Sequence, residues 1–142
     1  MTIGEIKAEV LKLMNINEAL NLSALDVGTL YDDPTYAGYL YSMPPAINRA
    51  LDRFYLTEAY EGTERISTDT SDETDIESLE GDLSPELVRL IPLYVVSEVF
   101  SAEEPSYSAE KRNEFEILLE GYLKSSRYSE RQTQVEVVEK VW

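Results

Sequence analysis

Neither cysteine nor histidine occurs among the 142 residues of this chain. Its fold must therefore be held by buried apolar surface alone, because no disulfide, thiolate-bound cluster or ordinary zinc site can staple it. The same two absences remove the Ser-His and Cys-His nucleophile pairs and the usual proton shuttle. With 43% hydrophobic residues, the length suits one domain with a modest core. The 28 Asp and Glu outnumber 12 Lys and Arg, for a formal charge of -16. Such a surface repels nucleic acid and anionic lipid, both of which are gripped by Lys and Arg. Shape and charge, rather than bond chemistry, are left as the means of function.

No membrane span is expected. The longest charge-free run in the apolar stretch near residue 90, Leu90 to Ser97, is broken by Pro92 and far shorter than the roughly 20 residues a spanning helix needs. The start, Met-Thr-Ile-Gly-Glu, lacks a basic region followed by an apolar block, so no signal peptide is expected and a cytosolic origin is.

Helical periodicity dominates the rest. Ile3, Ile6, Val10 and Met14 share one face, widened by Leu11 and Leu13, with Glu5, Lys7, Glu9 and Lys12 placed largely elsewhere. Thr2 and Glu5 have the spacing of a capping box. Periodicity lapses from Asn15 to Pro34, which predicts a loop with one short helical turn. It resumes with Ile47, Ala50, Leu51 and Phe54, and Pro44 and Pro45 then fall near the first turn of that helix or at a kink. Tyr36, Tyr39 and Tyr41, just upstream, suit packing at the core boundary with wet hydroxyls. Ser84-Pro85 marks a further helix start. Leu87, Leu90, Ile91, Tyr94, Val95 and Val99 follow as the most apolar stripe, kinked at Pro92. A last clear helix, from Ser106 or Ser108 to Lys124, would bury Phe115, Leu118, Leu119, Tyr122 and Leu123. The predicted fold is all-α, a small bundle of about four helices spanning residues 1–125.

Two regions resist that scheme. Between Glu58 and Glu86, eleven acids stand against Arg65 alone, which places -10 of the -16 in one span. Ile76 is the only large apolar residue between Ile66 and Leu79, so a long acidic loop, about 61–83, is expected to be mobile or to order only against a neighbouring subunit. Asp69, Ser71, Glu73, Asp75, Glu77 and Glu80 fall on the offsets of a calcium loop, but Thr74 occupies the position that needs glycine. Asp69-Thr70-Ser71 has the residues of an aspartic-protease turn without the dry setting or the second carboxylate. Asp69, Asp72, Glu73, Asp75 and Glu77 are read instead as acids facing a neighbouring subunit. The second region is the tail, residues 126–142. Val135, Val137, Val138, Val141 and Trp142 favour an extended strand built to pair with another protein's sheet, although Val135, Val138 and Val141 also recur at helical intervals of three.

The string Met43-Pro-Pro-Ala-Ile-Asn-Arg-Ala-Leu-Asp-Arg-Phe54, preceded by an amphipathic helix opening Thr-Ile-Gly-Glu-Ile, resembles the head-tail connector proteins of tailed bacteriophages, also called adaptor or head-completion proteins. The likeness extends through Leu87 to Val96, the Ser-Ala-Glu-Glu-Pro break and the helix carrying Asn113 to Tyr122, and covers roughly residues 1–125. It implies a non-enzymatic virion protein, assembled in the host cytoplasm and located at the head-tail interface. There it would form a ring, typically dodecameric, between the portal and a tail-side completion or stopper protein. DNA would pass through without specific binding, along a channel that Asp69, Asp72, Glu73, Asp75 and Glu77 would face. The C-terminal segment would grip the portal. No cofactor or metal is implied. The competing reading is an acidic DNA-mimic inhibitor of a nucleic-acid-binding protein, although a mimic should scatter its acids over folded surface. A magnesium enzyme with paired carboxylates would need acids at fixed spacing on rigid elements, and Glu114 and Glu116 do not share a helix face.

Overall fold

The computed structural model describes residues 1–14, 24–57, 66–79 and 83–141, with only the backbone path given at 24–26, 78–79 and 126–141. The class is all-α, and among the described residues the only β pairing is an isolated antiparallel bridge between Thr2 and Asp75.

Helix α1 (Ile3–Met14) opens with the expected capping box. Thr2 Oγ1 accepts from the Glu5 amide at 3.1 Å, and Glu5 Oε1 accepts from the Thr2 amide at 3.5 Å. Its apolar stripe is buried as predicted. A short α2 (Ala24–Leu30) packs on it, with Val27 in the core.

Helix α3 runs unbroken from Pro34 to Leu56, ten residues further upstream than the proline pair suggested. The start signal is Asp33-Pro34. Asp33 Oδ1 accepts from the Thr35 amide at 2.9 Å, and proline at the first helical position forfeits an amide that had no partner anyway. Pro44 and Pro45 sit inside the helix. They are tolerated because Tyr36, Leu40, Met43, Ile47, Ala50, Leu51 and Phe54 form one continuous buried stripe across them, so burial offsets the missing hydrogen bonds.

The described part of the predicted acidic loop, residues 66–79, packs on the body; 61–65 and 80–82 lie outside the described residues. Ile66 and Ile76 are buried, and α4 (Ile76–Leu79) follows at once. Asn48 clamps Ile66 through both backbone groups, accepting from its amide at 2.9 Å and donating to its carbonyl at 2.8 Å. At the far end the Ile3 amide donates to the Thr74 carbonyl at 2.9 Å and the Gly4 amide to the Asp72 carbonyl at 2.8 Å. These are first-turn amides of α1, which have no partner within their own helix. The acidic segment is thus the backbone cap of α1. Composition misjudged it because the stabilising groups are carbonyls and two isoleucines, which a count of acids does not register.

The predicted helix over 87–99 is two. Ser84 caps α5 (Pro85–Val88), residues 89–90 turn, and α6 (Ile91–Val99) restarts with Pro92 in its first turn, where the missing amide costs nothing. Helix α6 lies against α1, α3 and α7 and is the centre of the core. In α7 (Pro105–Val141), Phe115 stacks on Phe54 at 5.8 Å between centroids and meets Tyr94 edge-on at 5.1 Å. Leu119 is buried and Tyr122 and Leu123 pack on the core, but Leu118 is 45% exposed and does not join them.

The expected strand at the tail is helix. Backbone from 126 to 141 continues α7 as one element of 37 residues, about 55 Å long at 1.5 Å per residue. The valines favour β structure only where a sheet edge is at hand, and none is present among the described residues. Between Tyr122 and Val141 there is no glycine or proline to stop a helix already started.

Candidate functional site

The five acids singled out by sequence divide into two groups. Asp72 is drawn inward: its Oδ1 accepts from Lys7 Nζ at 2.7 Å and from the Tyr31 hydroxyl at 3.2 Å, while Lys7 Nζ also donates to the Tyr31 oxygen at 2.5 Å. Lys7 is 2% exposed, among the largest buried side chains of the described residues, and its ammonium lies 5.3 Å from the Tyr31 ring centroid. A buried ammonium is tolerated only when paired and hydrogen-bonded, and Asp72 and Tyr31 meet that need. Burial pushes the Tyr31 hydroxyl above its ordinary pKa, against the opposing pull of Lys7. Lys7 was assigned to the polar face of α1. Its position four residues after Ile3 and seven before Met14, inside the apolar stripe, was the signal that it is buried.

Asp75 and Glu77 also turn to the chain's own start, 3.9 and 3.3 Å from the Met1 amino group. Asp69 and Glu73 remain exposed. The structure therefore does not assemble the five acids into one outward-facing surface. Nor does it gather them as ligands: among the described residues no group of three or more acids could hold a metal ion, and Glu80 lies outside those residues. The other carboxylates considered, Glu114 and Glu116, are paired, the first with Lys111 at 3.2 Å and the second with Arg53 through two bonds of 2.7 and 3.1 Å.

Of the three tyrosines expected at the core boundary, Tyr39 and Tyr41 lie there and Tyr36 is in the core. Tyr36 is buried, Tyr39 meets Phe100 edge-on and donates to Glu103, and Tyr41 is exposed with its ring against Tyr31. Burial raises the pKa of Tyr39, helped by the Glu103 carboxylate, and burial also raises that of Tyr94. The Glu98 carboxylate, hydrogen-bonded to Arg49, holds that guanidinium above its ordinary value.

What the surface offers is apolar. Leu13, Pro92 and Leu93, with Met1, Glu9 and Arg89, line an open groove of about 330 Å³ where α1 meets α6. Sequence reasoning missed it, since it depends on how two helices cross. Leu56, 77% exposed, and Tyr55 end α3, and Ile117, 59% exposed, and Leu118 mark the outer side of α7. Beyond Leu123 the backbone of α7 runs on, carrying positions 135, 137, 138 and 141 on a helix; Trp142 lies outside the described residues. Among the described residues no helix is long and apolar enough to cross a membrane. Comparison with protein-family models, with curated proteins and with solved structures finds no significant match to this chain.

Proposed function

We propose that this chain is a non-enzymatic assembly subunit, a head-tail connector of a tailed bacteriophage that forms a ring between portal and tail. The reading rests on the resemblance of residues 1–125 to that family and on one structural observation. Helix α7 continues for 18 residues past Leu123, about 27 Å at 1.5 Å per residue. A helix this long on a chain of 142 residues gives a subunit the reach to engage another protein. The -16 charge supports the same reading: a ring of such bodies presents to DNA a wall to which it does not adhere. Of the acids named for that wall, Asp69 and Glu73 are the exposed ones.

Negative-stain imaging and mass photometry of the purified chain, alone and with a portal, test the proposal. Closed rings stacked on the portal are the expected result. Failure to associate with any portal, together with tight capture by a DNA-binding enzyme that DNA competes away, would transfer the assignment to the acidic DNA-mimic reading.

A further inference from the structure

The groove between α1 and α6 and the far end of α7 belong to one chain, yet they cannot meet within it. Tyr107, in the first turn of α7, donates its hydroxyl to the Leu13 carbonyl, which fixes the groove beside the start of that helix. Positions 135 to 141 come 28 to 34 residues later, about 42 to 51 Å away at 1.5 Å per residue. The nearest such groove available to the arm is on another molecule.

We propose that the C-terminal arm of α7 docks head-to-tail into the α1–α6 groove of a second copy of this chain. Charge favours this occupant. Residues 126–141 hold Arg127, Arg131 and Lys140 against Glu130, Glu136 and Glu139, for a net charge of zero, so the remaining 9 basic and 25 acidic residues place the whole -16 on the body. Two bodies repel each other, whereas a neutral arm approaches a body without that cost. The arm also keeps the bodies apart, since residues 124–134 alone span about 16 Å, near twice the Debye length of about 8 Å at physiological salt.

The chemistry of the two surfaces matches. Leu13, Pro92 and Leu93 give the groove an apolar floor, and Arg89 and Glu9 supply one charge of each sign. Along the arm, valines at 135, 138 and 141 recur every third residue, interleaved with Glu136, Glu139 and Lys140. Insertion of valines between two carboxylates and one ammonium suits an apolar floor flanked by a guanidinium and a carboxylate. Because the arm and the groove are different surfaces, the contact is heterologous. Repetition of a heterologous contact generates a closed ring when the rotation permits, and a filament otherwise. The inference deepens the connector reading, on which it rests for the presence of neighbouring copies, and assigns the arm to those copies rather than to the portal.

The absence of cysteine gives a clean test on the full-length chain. Leu13→Cys and Val138→Cys variants, each checked for native circular dichroism, are mixed under mild oxidation. A disulfide-linked dimer in the mixture, with little in either variant alone, is the expected result. No mixed disulfide, or a Val138→Cys dimer formed as readily without the Leu13→Cys partner, overturns the proposal, the latter in favour of arm-to-arm pairing. In parallel, sedimentation of unmodified protein at high micromolar concentration should show assemblies that the double variant Val135→Glu, Val138→Glu reduces to the 16.2 kDa monomer. A monomeric unmodified chain, or assemblies that survive the double variant, overturns it as well. Portal-bound rings that persist without the crosslink would sink arm docking alone. Crosslinked assemblies that ignore every portal would sink the connector reading alone.

Discussion

The acidic segment 66–79 and the C-terminal arm 126–141 look alike in sequence: both are polar, both lie outside the predicted helices, and neither carries enough apolar residues for a core of its own. They differ in where their backbone hydrogen bonds go. The arm continues α7, so its amides and carbonyls pair within the helix. The acidic segment gives its carbonyls to the amides of Ile3 and Gly4, takes the Met1 carbonyl through the Ile76 amide and is clamped at Ile66 by Asn48. Every buried amide and carbonyl has to be paired somewhere, so a segment that caps another element becomes part of the fold whatever its charge.

The largest test of this contrast is deletion. Removing residues 67–77 takes away the cap of α1, the partner of Lys7 and the Ile76 side chain together. The combined loss should approach the whole stability of about 5–15 kcal/mol typical of a small domain. Circular dichroism should then report an unfolded or partly folded chain, and an unchanged thermal midpoint would show that the segment is dispensable. Ile76→Ala, a substitution at a fully buried site, should cost about 2–5 kcal/mol in denaturant melts.

Next in size is Asp72→Ala, which strands the Lys7 ammonium. Full burial of both charges would make such a loss about 3–5 kcal/mol, and with Asp72 23% exposed about 2–3 kcal/mol is expected. Adding Lys7→Met should recover most of it, because an apolar side chain of similar length needs no partner. A double variant no more stable than Asp72→Ala would mean that the carboxylate acts on something other than Lys7.

Alkaline pH should act on the acidic segment and the body together. The hydroxyls of Tyr31, Tyr39 and Tyr94 all have pKa values raised above 10.0, so the folded state holds their protons more tightly than the unfolded state does. Their contribution is complete below pH 10 and is lost as pH rises through the folded-state values. Phenolate absorbance should show a subset of the 10 tyrosines titrating late, in step with loss of stability. The smallest effects belong to exposed groups: Asp69→Asn and Glu73→Gln should each stay within about 0.5 kcal/mol of the parent chain. Truncation after Ser125 should lower the helical signal without moving the denaturant midpoint by more than about 1 kcal/mol, since Phe115, Leu119, Tyr122 and Leu123 are all retained.

The helical class, the capping box at Thr2, the start at Ser84 and the burial of Phe115 and Leu119 were all legible in the sequence, because each depends on neighbours within a turn or two. The start of α3 was misplaced because two internal prolines outweighed the Asp33-Pro34 signal, and only the buried stripe from Tyr36 to Phe54 shows why the helix survives them. Lys7, Asp72 and Tyr31 lie far apart in the chain, and no local pattern joins them. The groove likewise exists only through the crossing of α1 and α6. The strand predicted for the tail failed because β propensity describes fit to a sheet that this chain does not supply among its described residues.

The tie between Lys7 and Asp72 also has a bearing on the order in which the molecule forms. It joins residues 65 apart, and the Met1 to Glu77 contact joins residues 76 apart. Closing loops of that length carries an entropy cost that grows only slowly with length but must be met before any contact rewards it. Helices α6 and α7 dock as near neighbours in sequence, at far lower cost. Long-range closures slow folding in proportion to their share of the contacts, so the capping of α1 by the acidic segment belongs to the late part of the reaction. Substitutions at Asp72 should consequently speed unfolding while leaving the refolding rate almost untouched.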